Sequence, residues 1–218
     1  METVGNLGEA VTKVLTKKGG AKFNQSVELI INVRDVDLSK PENRFTEVVE
    51  LPHGLGSKPR RVAVIASGNL AYESSRSPYV DKVFERNEVE ALIGNKKAAK
   101  KVAREYDYFL VEPSLVPVVA RALGASLGPL GKAPIPIPPN QDINSLSSKY
   151  KKSVTVKMRK VPQVSCVIGE EGMKTSELLE NAQTVLNRVV EKLDRKWQNV
   201  KSVYIKKTMG EPIKVMTR

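Results

Sequence analysis

The sequence predicts a mixed α/β protein, in which the outer thirds form an open antiparallel α+β domain and the middle forms a parallel α/β insert. Three observations support this fold class. Strands in the outer thirds alternate apolar and polar residues, as in a sheet with one exposed face. Strands in the middle are short apolar runs, which are typical of a sheet covered on both faces. Turn-rich segments at 52–59 and 126–140 separate the three regions.

The N-terminal third is predicted to hold one helix and two strands. Apolar residues recur at helical spacing from Leu7 to Leu15, and residues 17–20 supply a basic last turn and a glycine stop. A strand with one buried face follows, since apolar residues alternate with Ser26, Glu28 and Asn32. Residues 45–51 form a second, less regular strand that ends in the turn-rich linker.

The middle third alternates strands and helices, the order expected of a parallel α/β unit. Residues 62–66 and 108–111 are apolar strands. Residues 88–105 are helical in composition and are divided by a Gly-Asn pair, and 115–123 form a helix whose Pro117 suits only the first turn. Residues 126–140 contain two glycines and five prolines, so we expect extended or irregular backbone there.

The last third returns to the alternating pattern. Strands are predicted at 154–158 and 164–168, with a turn at 169–172. A long amphipathic helix follows from Leu178 to Leu193. Two final strands then flank the turn Lys206-Lys207-Thr208-Met209-Gly210-Glu211-Pro212.

Composition favours a soluble protein that binds a polyanion. The 218 residues include 36 Lys and Arg against 24 Asp and Glu, a net charge of +12. A basic but inert surface is the alternative. The single cysteine, Cys166, excludes an intrachain disulfide and a cysteine-based zinc site. No secretory signal or membrane-length apolar run is present, so we expect an intracellular protein.

The usual enzyme motifs are missing. The only histidine, His53, lies in a Pro-His-Gly turn with no nearby Ser or Cys nucleophile. A phosphate-binding loop is approximated at 124–133, but Ser126 replaces a required glycine and Ala133 replaces the hydroxyl that would bind magnesium. A nucleotide-dependent enzyme in the middle domain therefore remains only as the alternative hypothesis. Gly128, Gly131 and Lys132 are left as candidates for contact with a nucleic-acid backbone.

Three segments have side chains that suit RNA. Lys22, Phe23 and Ser26 offer a cation for phosphate, a ring for stacking and a hydroxyl for a ribose 2′-OH. Taken alone, this segment favours a core position for Phe23 over an RNA contact. The turn at 206–212 combines cations with a hydroxyl and a flexible apolar side chain. A third segment contributes cations at Lys157, Arg159 and Lys160, and the three would form one continuous patch if their strands share a sheet edge.

Four motifs together resemble the universal large-subunit ribosomal protein L-one family, which builds the mobile stalk, and they follow the family's order. They are Lys22-Phe23-Asn24-Gln25-Ser26-Val27-Glu28, Leu51-Pro52-His53-Gly54-Leu55-Gly56, Leu127-Gly128-Pro129-Leu130-Gly131, and Ser202-Val203-Tyr204 with Thr208-Met209-Gly210. The likeness spans nearly the whole chain, and its compact length resembles an archaeal member.

The resemblance implies how the domains are arranged. Residues 1–59 and 153–218 would form domain one, an open antiparallel α/β sandwich made by both chain ends. Residues 60–152 would form domain two, an inserted three-layer α/β domain with a parallel sheet. The hinge between them would include Gly54, Gly56 and Ser153.

The resemblance also implies a function without catalysis, cofactor or metal. Family members bind a junction of large-subunit rRNA through domain one, and many repress translation by binding a mimic of that junction on their own mRNA. Domain two would reach toward exit-site tRNA. The implied protein is a cytoplasmic, ribosome-bound chain that is a monomer when free and contacts no membrane.

Carried over by position, the RNA site has primary and secondary contacts. The primary residues are Lys22, Phe23, Ser26, Glu28, Lys160, Thr208, Met209 and Gly210. The secondary residues are Lys157, Arg159, Lys206 and Lys207. Glu28 would accept hydrogen bonds from a ribose 2′-OH or a base amino group. Bacterial members commonly have Asp-Lys-Thr where this chain has Arg159-Lys160-Val161, so from that motif Lys160 carries over as a primary contact.

Overall fold

The computed structural model describes residues 5–17, 22–138 and 141–215. The predicted glycine stop at 18–20 and the end of the proline-rich segment at 139–140 lie outside these residues. The chain divides into two compact units. Unit 1 contains the described residues up to Pro59 and from Lys152 onward, and unit 2 is Arg60–Lys151.

The helices and strands follow in chain order. The first half contains α1 (Gly5–Thr16), β1 (Ser26–Val33), β2 (Phe45–Glu50), β3 (Val62–Ile65), α2 (Gly68–Arg76), β4 (Lys82–Phe84), α3 (Arg86–Glu90), α4 (Lys96–Glu105) and β5 (Tyr108–Val111). The second half contains α5 (Val116–Leu130), β6 (Pro134–Pro136), α6 (Ile143–Lys151), β7 (Ser153–Met158), β8 (Gln163–Glu170), α7 (Thr175–Lys192), β9 (Val200–Lys207) and β10 (Ile213–Val215).

Unit 1 is built on an antiparallel sheet with strand order β10-β9-β1-β8. A separate antiparallel pair, β2 and β7, packs into the same hydrophobic core. Every second residue of β1 is buried from Val27 to Val33, as the alternating sequence predicts. Helices α1 and α7 contact each other and supply apolar side chains to this core, so they cover one face of the sheet.

Unit 2 is built on a parallel sheet with strand order β4-β3-β5-β6. All residues of β3 and β5 are buried, because helices lie on both faces of the sheet. Helices α2 and α6 contact each other, and α3 and α4 both contact α5. The predicted fold class, with an antiparallel sheet and a parallel sheet, is therefore confirmed.

The proline-rich segment differs from its prediction. Helix α5 continues to Leu130 with Pro129 in its last turn, so the expectation of irregular backbone at 126–140 is wrong for 126–130. Gly131 ends the helix with φ of 68°, a left-handed conformation that glycine adopts readily. The next prolines form β6 at the sheet edge, where a residue lacking an N–H is tolerated.

The short elements α2, β4 and α6 were also not predicted. They lack the long apolar periodicity that identified the others, and tertiary packing decides their structure. Strand β8 extends through Gly169 and Glu170, so the predicted turn at 169–172 is wrong for these two residues. Among the described residues no helix has the length and apolar character needed to cross a membrane.

The three predicted hinge residues, Gly54, Gly56 and Ser153, all lie in unit 1. The buried Asn181 side chain donates to Gly54 O at 2.9 Å, and a Cβ at Gly56 would lie 2.5 Å from Glu170 Oε1. Ser153 is buried in β7 opposite Glu50. These contacts describe how Gly54, Gly56 and Ser153 are held inside unit 1, and their role as a hinge between the two units stays a prediction.

Candidate nucleic-acid interface

The sheet of unit 1 has one polar face that α1 and α7 do not cover. We call it the open face and define it by alternate residues of its three longest strands. These are Ser26, Glu28, Ile30 and Asn32 on β1, Ser202, Tyr204 and Lys206 on β9, and Gln163, Ser165 and Val167 on β8. Most of these side chains are half-buried or exposed, in contrast to the residues between them, which are in the core.

Two large apolar side chains are exposed at one end of the open face. Phe23 is 52% exposed and Met209 is 74% exposed. Antiparallel pairing of β1 with β9 aligns the segment that enters β1 with the turn that leaves β9. Thr208 N donates to Ser26 O at 3.0 Å, which joins these two segments directly. We call this end, with residues 22–26 and 208–210, the apical loops.

Gln25 holds the apical loops together from inside. The residue is only 1% exposed, and its Oε1 accepts a 3.0 Å hydrogen bond from Met209 N. Its backbone N donates to Glu171 Oε1, and its carbonyl accepts from Glu171 N, both at 3.0 Å. A buried amide with these partners fixes the backbone on either side of Phe23 and Met209.

Glu171, whose side chain is partly exposed, is the acidic residue that binds Gln25. The hydrogen bond from the backbone of Gln25, followed by that from the Lys207 side chain, holds the pKa of the Glu171 carboxyl below its ordinary value. Both interactions favour the ionised form. The carboxylate therefore stays charged beneath the loops that carry Phe23 and Met209.

Lys207 corrects the prediction of an RNA-contacting cation. Its side chain is 7% exposed, and its Nζ lies 3.1 Å from Glu171 Oε2. The same ammonium donates to Leu15 O at 3.2 Å and to Lys17 O at 3.1 Å, at the C-terminal end of α1. All three ammonium protons thus have partners within the fold, so Lys207 stabilises unit 1 and is not available to a phosphate.

Its neighbour Lys206 lies on the open face opposite Glu28, because side chains alternate along a strand. Lys206 Nζ donates to Thr208 O at 3.1 Å, which directs a cation toward the apical loops. Gly210 has an internal role, since a Cβ there would lie 3.2 Å from Lys207 Cβ and its N donates to Lys207 O at 2.9 Å. The turn itself favours glycine at this position, in addition to any need for clearance around a ligand.

The third predicted basic segment lies at the opposite end of unit 1. Strand β7, with the exposed Lys157, pairs with β2 and not with β1 or β9. Arg159 donates to Thr46 Oγ1 at 3.0 Å, and Pro162 O accepts from Val33 N at the far end of β1. The condition for one continuous patch, a sheet edge shared by all three segments, is therefore not met. Lys160, in the turn between β7 and β8, is separated from the apical loops by about 20 Å of extended strand.

The open face joins these two ends and contains polar residues that no local sequence motif marks. Asn32 Nδ2 donates to Ser202 Oγ at 3.0 Å between β1 and β9. Ile30 lies between Tyr204 and Ser165 in the strand registers. The alternation along β1 was the signal for this face, but its partner strands could not be identified from local patterns.

Residues 124–133, which resemble a phosphate-binding loop in sequence, have a structural role in unit 2. Lys132 Nζ donates to Ala103 O at 3.0 Å and Tyr106 O at 2.6 Å, which satisfies carbonyls at the end of α4. Burial lowers the pKa of this ammonium. Residues 124–130 are helical, so they cannot wrap a phosphate. Among the described residues no cluster of three or more His, Cys, Asp or Glu side chains could hold a metal ion.

Comparison with known proteins agrees with this arrangement. Residues 14–211 match the model of the Ribosomal protein L1p/L10e family. The Large ribosomal subunit protein uL1 of Thermofilum pendens is 43% identical over 97% of this chain and 93% of its own length. The protein of that name from Pyrobaculum neutrophilum is 46% identical over 94% of this chain and 90% of its own. That from Methanothermococcus thermolithotrophicus is 40% identical over 96% and 97%. These relatives are ribosomal proteins, and the chain belongs to the Ribosomal protein L1p/L10e family.

Proposed function

We propose that this chain is a non-catalytic protein of the large ribosomal subunit that binds large-subunit rRNA through the apical loops and the open face. The observation that carries the proposal is the exposure of Phe23 and Met209 on loops that Gln25 fixes from inside. Exposed apolar side chains on a rigid backbone suit stacking on bases and packing on ribose. The polar open face beside them offers hydroxyl, amide and carboxylate groups for 2′-OH contacts.

The electrostatics support an RNA partner. Lys22 lies in the apical loops and Lys206 faces the same end of the sheet, so both are placed to reach phosphates. Arg159 and Lys160 lie at the other end. Because phosphate contacts release counterions, binding should weaken as salt rises. The salt slope, which is the fall in the logarithm of affinity for each tenfold rise in salt concentration, should be about 0.7–0.9 for each phosphate contact.

The experiment is direct binding of the full chain to a large-subunit rRNA fragment that contains the helical junction. We expect Phe23→Ala and Met209→Ala each to weaken binding by about 1–3 kcal/mol, the range for a lost base–aromatic stacking contact at Phe23 and for a lost packed side chain at Met209. Ile93→Ala is the matched control, because Ile93 is an exposed apolar residue of unit 2. Wild-type affinity in both apical variants, or equal loss in the control, would reject the assignment.

Three more specific functions belong to the same proposal, and they are supported only by the chain's membership of the Ribosomal protein L1p/L10e family. The chain would form the mobile stalk and assist release of exit-site tRNA through unit 2. It would repress translation by binding, with the same apical loops, a mimic of the rRNA junction on its own mRNA. It would be monomeric when free and ribosome-bound in the cytoplasm.

The repressor role has a simple test. Adding the chain to an in-vitro translation reaction programmed with its own mRNA should lower synthesis, and an excess of the rRNA fragment should restore it. The Met209→Ala variant should repress less in proportion to its weaker rRNA binding. Repression that persists unchanged with excess rRNA would separate the two sites and refute the shared surface.

A further inference from the structure

Helix α4 of unit 2 carries a concentrated set of cations outside the site described above. Lys97, Lys100, Lys101 and Arg104 recur at spacings of three and four residues, so they share one face of the helix. Together with Arg61 and Glu105 they line a concavity of about 620 Å³. Five cations against one carboxylate give this groove a net charge of +4. We call it the α4 groove.

The cations of α4 have no neutralising partner within the part of the chain that the structure describes. Of the residues lining the groove, only Arg61 forms an ion pair, with Glu105 at 3.3 Å. The guanidinium of Arg61 also lies 5.0 Å from the centre of the Tyr106 ring, which holds it at the wall of the groove. The groove is therefore a formed basic surface in which four exposed cations remain unpaired.

The arrangement is also unfavourable for the helix itself. Like charges three and four residues apart repel one another. Lys96 and Lys97 lie in the first turn, which contains no acidic residue, where the helix dipole disfavours cations. The opposite face, with Ala99 and Ala103, is buried in the core of unit 2. A bound polyanion would relieve the repulsion that the fold leaves in place.

The chemistry of the groove favours RNA over a lipid surface. Helices that lie in a membrane interface present large apolar residues beside their cations. The exposed residues of α4 are charged, and its apolar positions Ala99, Val102 and Ala103 are wholly or partly buried. A groove lined by cations at about one helical turn apart matches a phosphodiester backbone.

We propose that the α4 groove binds the phosphate backbone of a folded RNA, independently of the apical loops of unit 1. The inference rests on the proposed function for the class of polyanion, and it gives unit 2 a set of RNA-binding residues. Lys97, Lys100 and Lys101 supply the phosphate contacts, and Arg61 and Arg104 extend them along the groove.

The test compares wild-type chain with the triple variant Lys97→Gln, Lys100→Gln, Lys101→Gln. Glutamine keeps a similar helix propensity, so α4 should fold. A folded transfer-RNA transcript is the probe, titrated at several potassium chloride concentrations. We expect the variant to bind it at least about tenfold more weakly at low salt, with the salt slope reduced by about 2–3 for three lost contacts. Binding of the rRNA junction fragment should stay within about twofold of wild type.

Two controls make the result specific. The triple variant Lys13→Gln, Lys40→Gln, Lys192→Gln removes the same charge from exposed positions of unit 1 and should bind the transcript nearly as wild type does. Vesicles containing anionic phospholipid should not be retained by the groove. Unchanged transcript binding in the α4 variant, equal loss in the charge control, or groove-dependent vesicle binding would each overturn the proposal.

Failure of the α4 groove proposal can be distinguished from failure of the proposed rRNA site at the apical loops. A Phe23→Ala, Met209→Ala double variant should lose the rRNA fragment and still bind the transcript with the wild-type salt slope. If it keeps the rRNA fragment, the proposed function fails while the groove stands. If the α4 variant loses neither RNA, the groove fails while the proposed function stands.

Discussion

The adjacent residues Lys206 and Lys207 give the sharpest test of how unit 1 is built, because alternation along β9 places them on opposite faces of one sheet. Lys206 faces the open face, and Lys207 is buried against α1 and Glu171. We predict that Lys207→Met destabilises unit 1 without changing the salt dependence of rRNA binding. Lys206→Gln should leave the stability of unit 1 unchanged and reduce the salt dependence of rRNA binding.

The loss of stability expected for Lys207→Met follows from the partners of the Lys207 ammonium. Methionine fills the apolar part of the site but leaves the Glu171 carboxylate and the Leu15 and Lys17 carbonyls without their donor. Removing one member of a buried ion pair destabilises a protein by about 3–5 kcal/mol. The Glu171 side chain is 27% exposed and can be partly hydrated, so we expect about 2–4 kcal/mol.

Trp197 provides the assay, since it is the only tryptophan of the chain and lies in unit 1. Urea unfolding followed by its fluorescence reports unit 1 alone. Adding Glu171→Gln to Lys207→Met should recover part of the lost stability, because the unpaired carboxylate is then gone. For Lys206→Gln we expect wild-type stability and a salt slope lower by about 0.7–0.9. A Lys207→Met variant with wild-type stability and a reduced slope would refute the assignment of the two lysines.

Further predictions concern the linker, the pH dependence and the buried amide. Gly56→Ala should destabilise unit 1 by about 2–4 kcal/mol, because the new Cβ would meet the Glu170 carboxylate that binds Ser57 and because the φ of 84° is left-handed. The control is Gly54→Ala, where the backbone is also left-handed but the nearest side chain is a flexible lysine. This control should lose less stability in the same urea titration. The lowered pKa of Glu171 means that its stabilisation is fully present above the ordinary glutamate pKa and is lost as pH falls through the lower folded value. Trp197-monitored stability should therefore decline in acid less steeply in Glu171→Gln than in wild type. Gln25→Ala should weaken rRNA binding about tenfold although Gln25 is buried, because Met209 N loses its acceptor; binding equal to wild type would show that the loops need no such support.

Local sequence patterns predicted much of the fold for a physical reason. Apolar side chains at alternate positions of β1 and at helical spacing in α7 must be buried, and one element suffices to reveal that. The two apolar strands β3 and β5 likewise required a covered parallel sheet. Elements such as α2 and β6 were missed because their positions depend on packing against residues distant in sequence.

The candidate site was less predictable, because its geometry depends on pairing between chain ends. Residues 22–26 and 208–210 carried recognisable chemistry, but the sequence did not show that β1 pairs with β9 or that Lys160 lies at the other end of the sheet. Nor could composition distinguish Lys206 from Lys207. Strand register decides that difference, and register is a property of two segments together.

The cluster of Gln25, Glu171 and Lys207 beneath the apical loops explains why these loops can expose Phe23 and Met209. An exposed loop that carries two apolar side chains would gain by turning them inward, unless its backbone is held by other contacts. Here one amide and one ion pair fix that backbone through bonds to Met209 N, to the start of β1 and to the end of α1. A bound RNA would then meet side chains that are already in place, and the ordering entropy is not lost on binding. Residues that never touch RNA should therefore influence affinity as strongly as some that do.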